Sequence, residues 1–254
     1  MDYRRIVPCL DVKNGRLVKG VNFVNLKDVG DPADNGAAYS DAGADELVFL
    51  DITATVENRQ TLLEAVRRTV ARIAIPLTVG GGIRSIDDIQ ALLDLGVSKV
   101  SINTAAVRRP ELVREAAEKF GPERITVAID TRKSARLPSG FEVVVRGGTE
   151  GAGIDAVQWA KQVEALGAGA ILPTSMNTDG MQTGYDIPMT RAIADAVGVP
   201  VIASGGAGTL EHLYEAIVDA HADAVLVASI AHFGTYTIRQ MKEFLASRGI
   251  PVRM

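Results

Sequence analysis

The chain has one cysteine, Cys9, in 254 residues. No internal disulfide can form, and a reducing compartment is expected. No apolar run approaches the length of a membrane span. The first residues, MDYRRIVPCLDV, pass straight into a strand-like run, so no signal peptide is expected and the cytoplasm is the default location. A net charge of −4 gives no long-range attraction to nucleic acid or to an anionic membrane. The three histidines, His212, His221 and His232, are scattered and form no ligand cluster with Cys9, so no metal is expected. No Rossmann or P-loop fingerprint stands where it would have to, and nothing calls for a cofactor. With 47% hydrophobic and 23% charged residues, what remains is a globular α/β composition of a size that suits one large domain.

What is present is a repeat. IVPCLDV at 6–12 matches ITVAIDT at 125–131, and each run ends in an Asp, Asp11 and Asp130. GADELVFLDIT at 43–53 matches GAGAILPTSMN at 167–177, and LTVGGGIRS at 77–85 matches VIASGGAGT at 201–209, both offset by 124. GVSKVSINTA at 96–105 matches HADAVLVASI at 221–230, offset by 125. Four strand-like runs per half, in the same order, make eight. The pattern predicts a single (β/α)8 TIM barrel over 1–254, built from two half-barrels at about 1–122 and 123–254.

Strands are expected near 5–11, 45–51, 75–79, 98–103, 124–130, 168–174, 199–204 and 222–228. Their near-continuous apolarity fits parallel strands buried on both faces. Helices are expected over 32–43, 57–73, 85–95, 109–120, 154–166, 187–197, 209–219 and 237–248, with Trp159 as a packing residue. Residues 12–31 read as a long loop after the first strand, and 132–153 as a short β-ribbon.

Chemistry in such barrels sits at the C-terminal strand ends. Asp11 and Asp130 end the first and fifth strands, which the barrel would set opposite each other. Two carboxylates in different surroundings suit general acid–base catalysis. The Gly-rich turns GGGI at 80–83 and GGAG at 205–208 each precede a helix and suit phosphate binding by backbone N–H groups. Asn103-Thr104 and Ala228-Ser229 can complete the two shells. A bisphosphorylated substrate spanning the site follows. Lys19, in the loop after the first strand, can clamp a phosphate; Lys13, Arg16, Lys19 and Lys27 equally fit a solvated loop face.

The stretches PCLDVKNGRLVKGVNF, GDP, DELVFLDITA, TVGGGIRS, VSINTAAV, VAID, GYD and IASGGAG together resemble the cyclase subunit of imidazole glycerol phosphate synthase, over essentially the whole chain. The resemblance implies a (β/α)8 barrel of histidine biosynthesis, an ammonia-dependent lyase. Its substrate is a bisphosphorylated phosphoribulosyl-formimino aminoimidazole carboxamide ribonucleotide. The products are imidazole glycerol phosphate and aminoimidazole carboxamide ribonucleotide. Position by position, it makes Asp11 and Asp130 the acid–base pair and Lys19 a substrate-engaging loop lysine. It puts Gly82, Asn103 and Thr104 at one phosphate, and Gly206, Ala228 and Ser229 at the other. Asp179 and Ser204 match substrate-facing residues, and Arg5, Glu46 and Lys99 match a charged ring that gates ammonia. A separate glutaminase subunit is the implied partner.

The chain departs from that pattern at six positions. The ring's usual second Glu is Ala170, the repeat partner of Glu46, which leaves two cations and one anion. Ser98 replaces an Asp that faces the glutaminase. In PTSMNTDGMQ, Asn177 and Met181 replace Asp and Thr, and Val227 and Ala231 stand where Ala and Phe are usual. Weakened coupling to the glutaminase is therefore expected. Two rivals remain: the sister sugar-phosphate isomerase of the same route, and a catalytically altered or engineered phosphosugar-binding barrel.

Overall fold

The computed structural model describes residues 3–21, 24–52 and 59–254; side chains at 19–21, 24–27 and 59 also lie outside the description. Strands and helices alternate in the expected order. They form two compact units, Met1–Ser101 with Leu226–Met254, and Ile102–Val225.

In the first unit, β1 (Arg5–Lys13) turns back into an antiparallel ribbon, β2 (Arg16–Val21) and β3 (Val24–Gly30). The stretch expected as a loop is therefore mostly strand. Helix α1 (Pro32–Asp41) starts where Asp31 accepts from the Ala33 N–H at 2.8 Å and Pro32 pre-sets the first turn. β4 (Leu47–Asp51), α2 (Arg59–Val70), β5 (Leu77–Gly80), α3 (Ile86–Asp94) and β6 (Lys99–Ile102) follow. The expected start of α2 at 57–58 lies outside the described residues. β1, β4, β5 and β6 run parallel in that order. Leu47, Val48 and Phe49 are buried, as strands covered on both faces require.

The second unit opens on α4 (Thr104–Arg108), a short helix the periodicity does not announce, and α5 (Glu111–Phe120). β7 (Ile125–Lys133) leads into the expected antiparallel ribbon, β8 (Phe141–Val145) and β9 (Glu150–Asp155). Then come α6 (Ala156–Ala165), β10 (Ala170–Ser175), α7 (Ile187–Ala194), β11 (Ile202–Ala203), α8 (Leu210–Val218) and β12 (Ala224–Val227). α6 buries Ala156, Trp159, Ala160 and Val163, one helical face at the spacing the packing needs. Burying a large side chain such as Val163 contributes about 1.5–3 kcal/mol. The chain re-enters the first unit through α9 (Ser229–His232) and α10 (Ile238–Ser247).

α10 carries a lysine in its apolar stripe of Ile238, Met241, Lys242 and Leu245. The Lys242 side chain is 3% exposed, and its ammonium donates to Asp45 Oδ1 at 2.8 Å, Gly43 O at 2.6 Å and Arg253 O at 2.6 Å. Asp45 Oδ2 accepts from the Ile6 N–H at 2.9 Å. All three ammonium protons are satisfied, which is the condition for burying such a charge.

The strand register carries the repeat into three dimensions. In the first unit Asp11, Leu50, Gly80 and Ser101 are neighbours across β1, β4, β5 and β6. In the second unit Asp130 lies beside Thr174, and Thr174 bridges to Ser204. Asp11/Asp130, Leu50/Thr174 and Gly80/Ser204 are the repeat pairs of the sequence alignment. The caps repeat too: Asp155 begins α6 as Asp31 begins α1, and Ser85 and Thr209 each open a capping box.

Candidate active site

Asp130, Thr174 and Ser204 form a polar row at the C-terminal ends of their strands, on one face of the sheet. Thr174 was not among the residues expected; its signal is a hydroxyl interrupting the apolar run AILPTS. Asp130 Oδ2 accepts from Asn103 Nδ2 at 2.9 Å. Burial pushes the Asp130 carboxyl up to about 6; the Asn103 bond pulls it down, and the charge of Asp179 pushes it up again. A carboxyl shifted in this way is suited to holding a proton near neutrality, the range useful for acid–base chemistry. Asn103 Oδ1 is buried and has no hydrogen-bond partner among the described residues. The repeat partner of Asn103 is Ala228, which has no amide to offer Asp11.

Asp179 lies on the turn after β10, where its N–H donates to Ser175 O at 2.9 Å. That turn packs on the Gly-rich turn after β11: Thr178 Oγ1 donates to Gly205 O at 3.1 Å. Gly206, at φ 108°, accepts from the Gly184 N–H at 2.8 Å. A Cβ on Gly206 would lie 2.0 Å from Gly184 O, so only glycine fits there. Asn177, one of the departures, accepts from the Lys133 N–H at 3.0 Å and fastens the turn to the end of β7. Met181 projects into solvent on the same turn. Thr104 Oγ1, at the start of α4, accepts from the Arg146 N–H at 3.2 Å, which brings the tip of the β8–β9 ribbon onto that helix start.

In the first unit Asp11 stands at the C-terminal part of β1, with the Cys9 thiol donating to its Oδ1 at 3.5 Å. Gly82 follows β5 at φ 68°; beside it, a Cβ on Gly81 would lie 2.0 Å from Asp51 O. Ala228 and Ser229 open α9, which the strand pattern had run into β12. Val227 is buried in β12 and Ala231 lies in α9. His232 of α9 ties this helix to the strand bearing Asp11. Its Nε2 donates to Cys9 O at 2.7 Å, so its Nδ1 accepts from the Tyr39 hydroxyl at 2.7 Å. The Lys19 backbone lies in β2, but its side chain is outside the described residues.

At the other strand ends, Arg5 opens β1, Lys99 opens β6 and Glu46 immediately precedes β4. The Glu46 carboxylate is paired on one oxygen with the Arg5 guanidinium and on the other with Lys99 Nζ at 2.8 Å. Burial raises the Glu46 carboxyl, but the two cations outweigh it and hold it below the ordinary range. Both cations are paired with Glu46, so the shortfall of one acid at Ala170 leaves neither without a partner. Ala170 itself is buried at the start of β10. Ser98 Oγ accepts from the Leu77 N–H at 3.3 Å.

Two repeated carboxylates and two Gly-rich turns stand at the C-terminal ends of parallel strands in an α/β fold, the end that carries the site in (β/α)8-barrel enzymes. The sequence matches the family described as "Histidine biosynthesis protein" over residues 5–237. The chain belongs to that family, an enzyme family of histidine biosynthesis with the (β/α)8-barrel fold, and membership alone does not choose between cyclase and isomerase.

Proposed function

We propose that the chain is the cyclase. It takes up ammonia and converts the bisphosphorylated formimino ribonucleotide to imidazole glycerol phosphate and aminoimidazole carboxamide ribonucleotide. The observation that supports this over the isomerase is the Arg5–Glu46–Lys99 cluster. Paired charges at the N-terminal strand ends have no task in an isomerisation, whereas a nitrogen source entering at that end needs a gate. The stretches ELVFLDITA and SINTAAV point the same way.

In this reading Asp130 is the general acid, because it holds a proton near neutrality, and Asp11 is its partner base. Gly82, Asn103 and Thr104 serve one phosphate of the substrate; Gly206, Ala228 and Ser229 serve the other, and Lys19 engages the substrate. Asp179 and Ser204 face the substrate. The reaction runs in the cytoplasm as one barrel domain, which a glutaminase supplies with ammonia; the loss of acids at Ala170 and Ser98 leaves that coupling weak. Turnover of the formimino ribonucleotide with ammonium salt and no glutaminase tests the assignment. Conversion of the preceding aminoaldose alone would make the chain the isomerase, and turnover of neither would make it a binding barrel.

A further inference from the structure

The two Gly-rich turns are latched by the same device built from different chemistry. After β5, Asp88 Oδ2 accepts from the N–H groups of Arg84 at 2.8 Å and Ser85 at 3.1 Å. After β11, His212 occupies the equivalent position. Its Nδ1 accepts from the N–H groups of Gly208 at 3.1 Å and Thr209 at 3.2 Å. Gly208 and Thr209 are the repeat partners of Arg84 and Ser85. An imidazole nitrogen that accepts two N–H bonds must present its lone pair, so the His212 proton sits on Nε2.

The latch closes a set of constraints on one turn. Gly205 O is held by Thr178, Gly206 O by Gly184, and the Gly208 N–H by His212. Gly206 and Gly208 also lie against backbone carbonyls, with room for no Cβ. Backbone N–H groups bind an anion well only when their directions are fixed in advance, because loosening them adds an ordering cost to binding. Single-residue capping interactions of this type are strong enough to set such a geometry.

We propose that His212 is a positioning residue of the anion-binding turn Gly205–Gly208. It never touches the substrate; its Nδ1 fixes the turn that does. The inference rests on the reading that this turn binds a phosphate of the substrate. It also says which replacement works: His212→Asp installs the acceptor that the other half already uses at Asp88.

The test titrates inorganic phosphate into the full chain and follows the backbone amide resonances of Gly82, Gly206 and Gly208. Hydrogen exchange at Gly208 and Thr209 is read in parallel. In His212→Ala, phosphate binding at Gly206 weakens about fivefold or more, the scale of one lost cap, and both amides exchange faster. The Gly82 response stays as in the wild type. In His212→Asp, binding and protection return to within about twofold. Equal saturation at Gly206 in the wild type and His212→Ala overturns the inference, as does a His212→Asp protein no better than His212→Ala. A wild-type turn that ignores phosphate refutes the phosphate reading itself, and the inference with it.

Discussion

Asp130→Asn separates stability from catalysis at one atom. The carboxyl has its midpoint near 6 in the folded protein against an ordinary value of 3.8. A folded-state value above the unfolded one means that the folded protein binds the proton more tightly. Its contribution to stability is complete below pH 4 and is lost as pH rises through about 6. The difference amounts to about 3 kcal/mol at ~1.4 kcal/mol per tenfold in proton affinity, taken as an upper bound. An asparagine carries no charge to desolvate, and its carbonyl can still accept from Asn103 Nδ2. Asp130→Asn should therefore gain about 1–3 kcal/mol over the wild type at pH 8 and nearly nothing at pH 4. Catalysis should fall at least about a hundredfold, the scale of one acid–base group. Urea unfolding of both proteins at the two pH values isolates the effect, since carboxylates that do not interact with Asp130 cancel in the difference and only Asp179, which does, adds to it. A variant less stable than the wild type at pH 8, or a difference that ignores pH, would refute the reasoning.

Asp11→Asn should cut cyclisation at least about a hundredfold with little change in substrate affinity, checked by steady-state kinetics. Lys242→Ala strands the buried Asp45 carboxylate and should cost about 3–5 kcal/mol in urea unfolding; a loss within experimental error would show that Arg253 and the Ile6 N–H suffice. Ala170→Glu with Ser98→Asp should raise glutamine-driven turnover with a glutaminase while leaving ammonia-driven turnover unchanged. The second change has a structural precedent: Asp223, the repeat partner of Ser98, accepts from the Val201 N–H at 3.0 Å as Ser98 does from Leu77. Efficient glutamine use by the unaltered chain would sink that idea.

The parallel strands of each unit were legible because each is a short apolar run, as strands buried on both faces require. The repeat then placed Asp11 and Asp130 without structural help, and the register across β1–β4–β5 and β7–β10 agrees with it residue by residue. The β2–β3 ribbon was read as a loop because Arg16, Lys19, Lys27 and Asp28 interrupt its apolar residues, so no continuous apolar run marks either strand. Helices α4 and α9 are four or five residues long, too short to show a helical period. The contacts that tune the site come from residues distant in sequence. The Asn103 amide on Asp130 and the His232 link from Tyr39 to Cys9 leave no local pattern. Nothing in the sequence around Lys242 points to Asp45; only the fold brings the two together.

The central claim, that this barrel is an ammonia-dependent cyclase, is tested most directly by following imidazole glycerol phosphate formation. The bisphosphorylated formimino ribonucleotide is supplied with ammonium salt and no glutaminase, with the preceding aminoaldose as a parallel substrate. The account predicts turnover of the first, reduced at least about a hundredfold in both Asp11→Asn and Asp130→Asn, and none of the second. Turnover of the aminoaldose alone would contradict it.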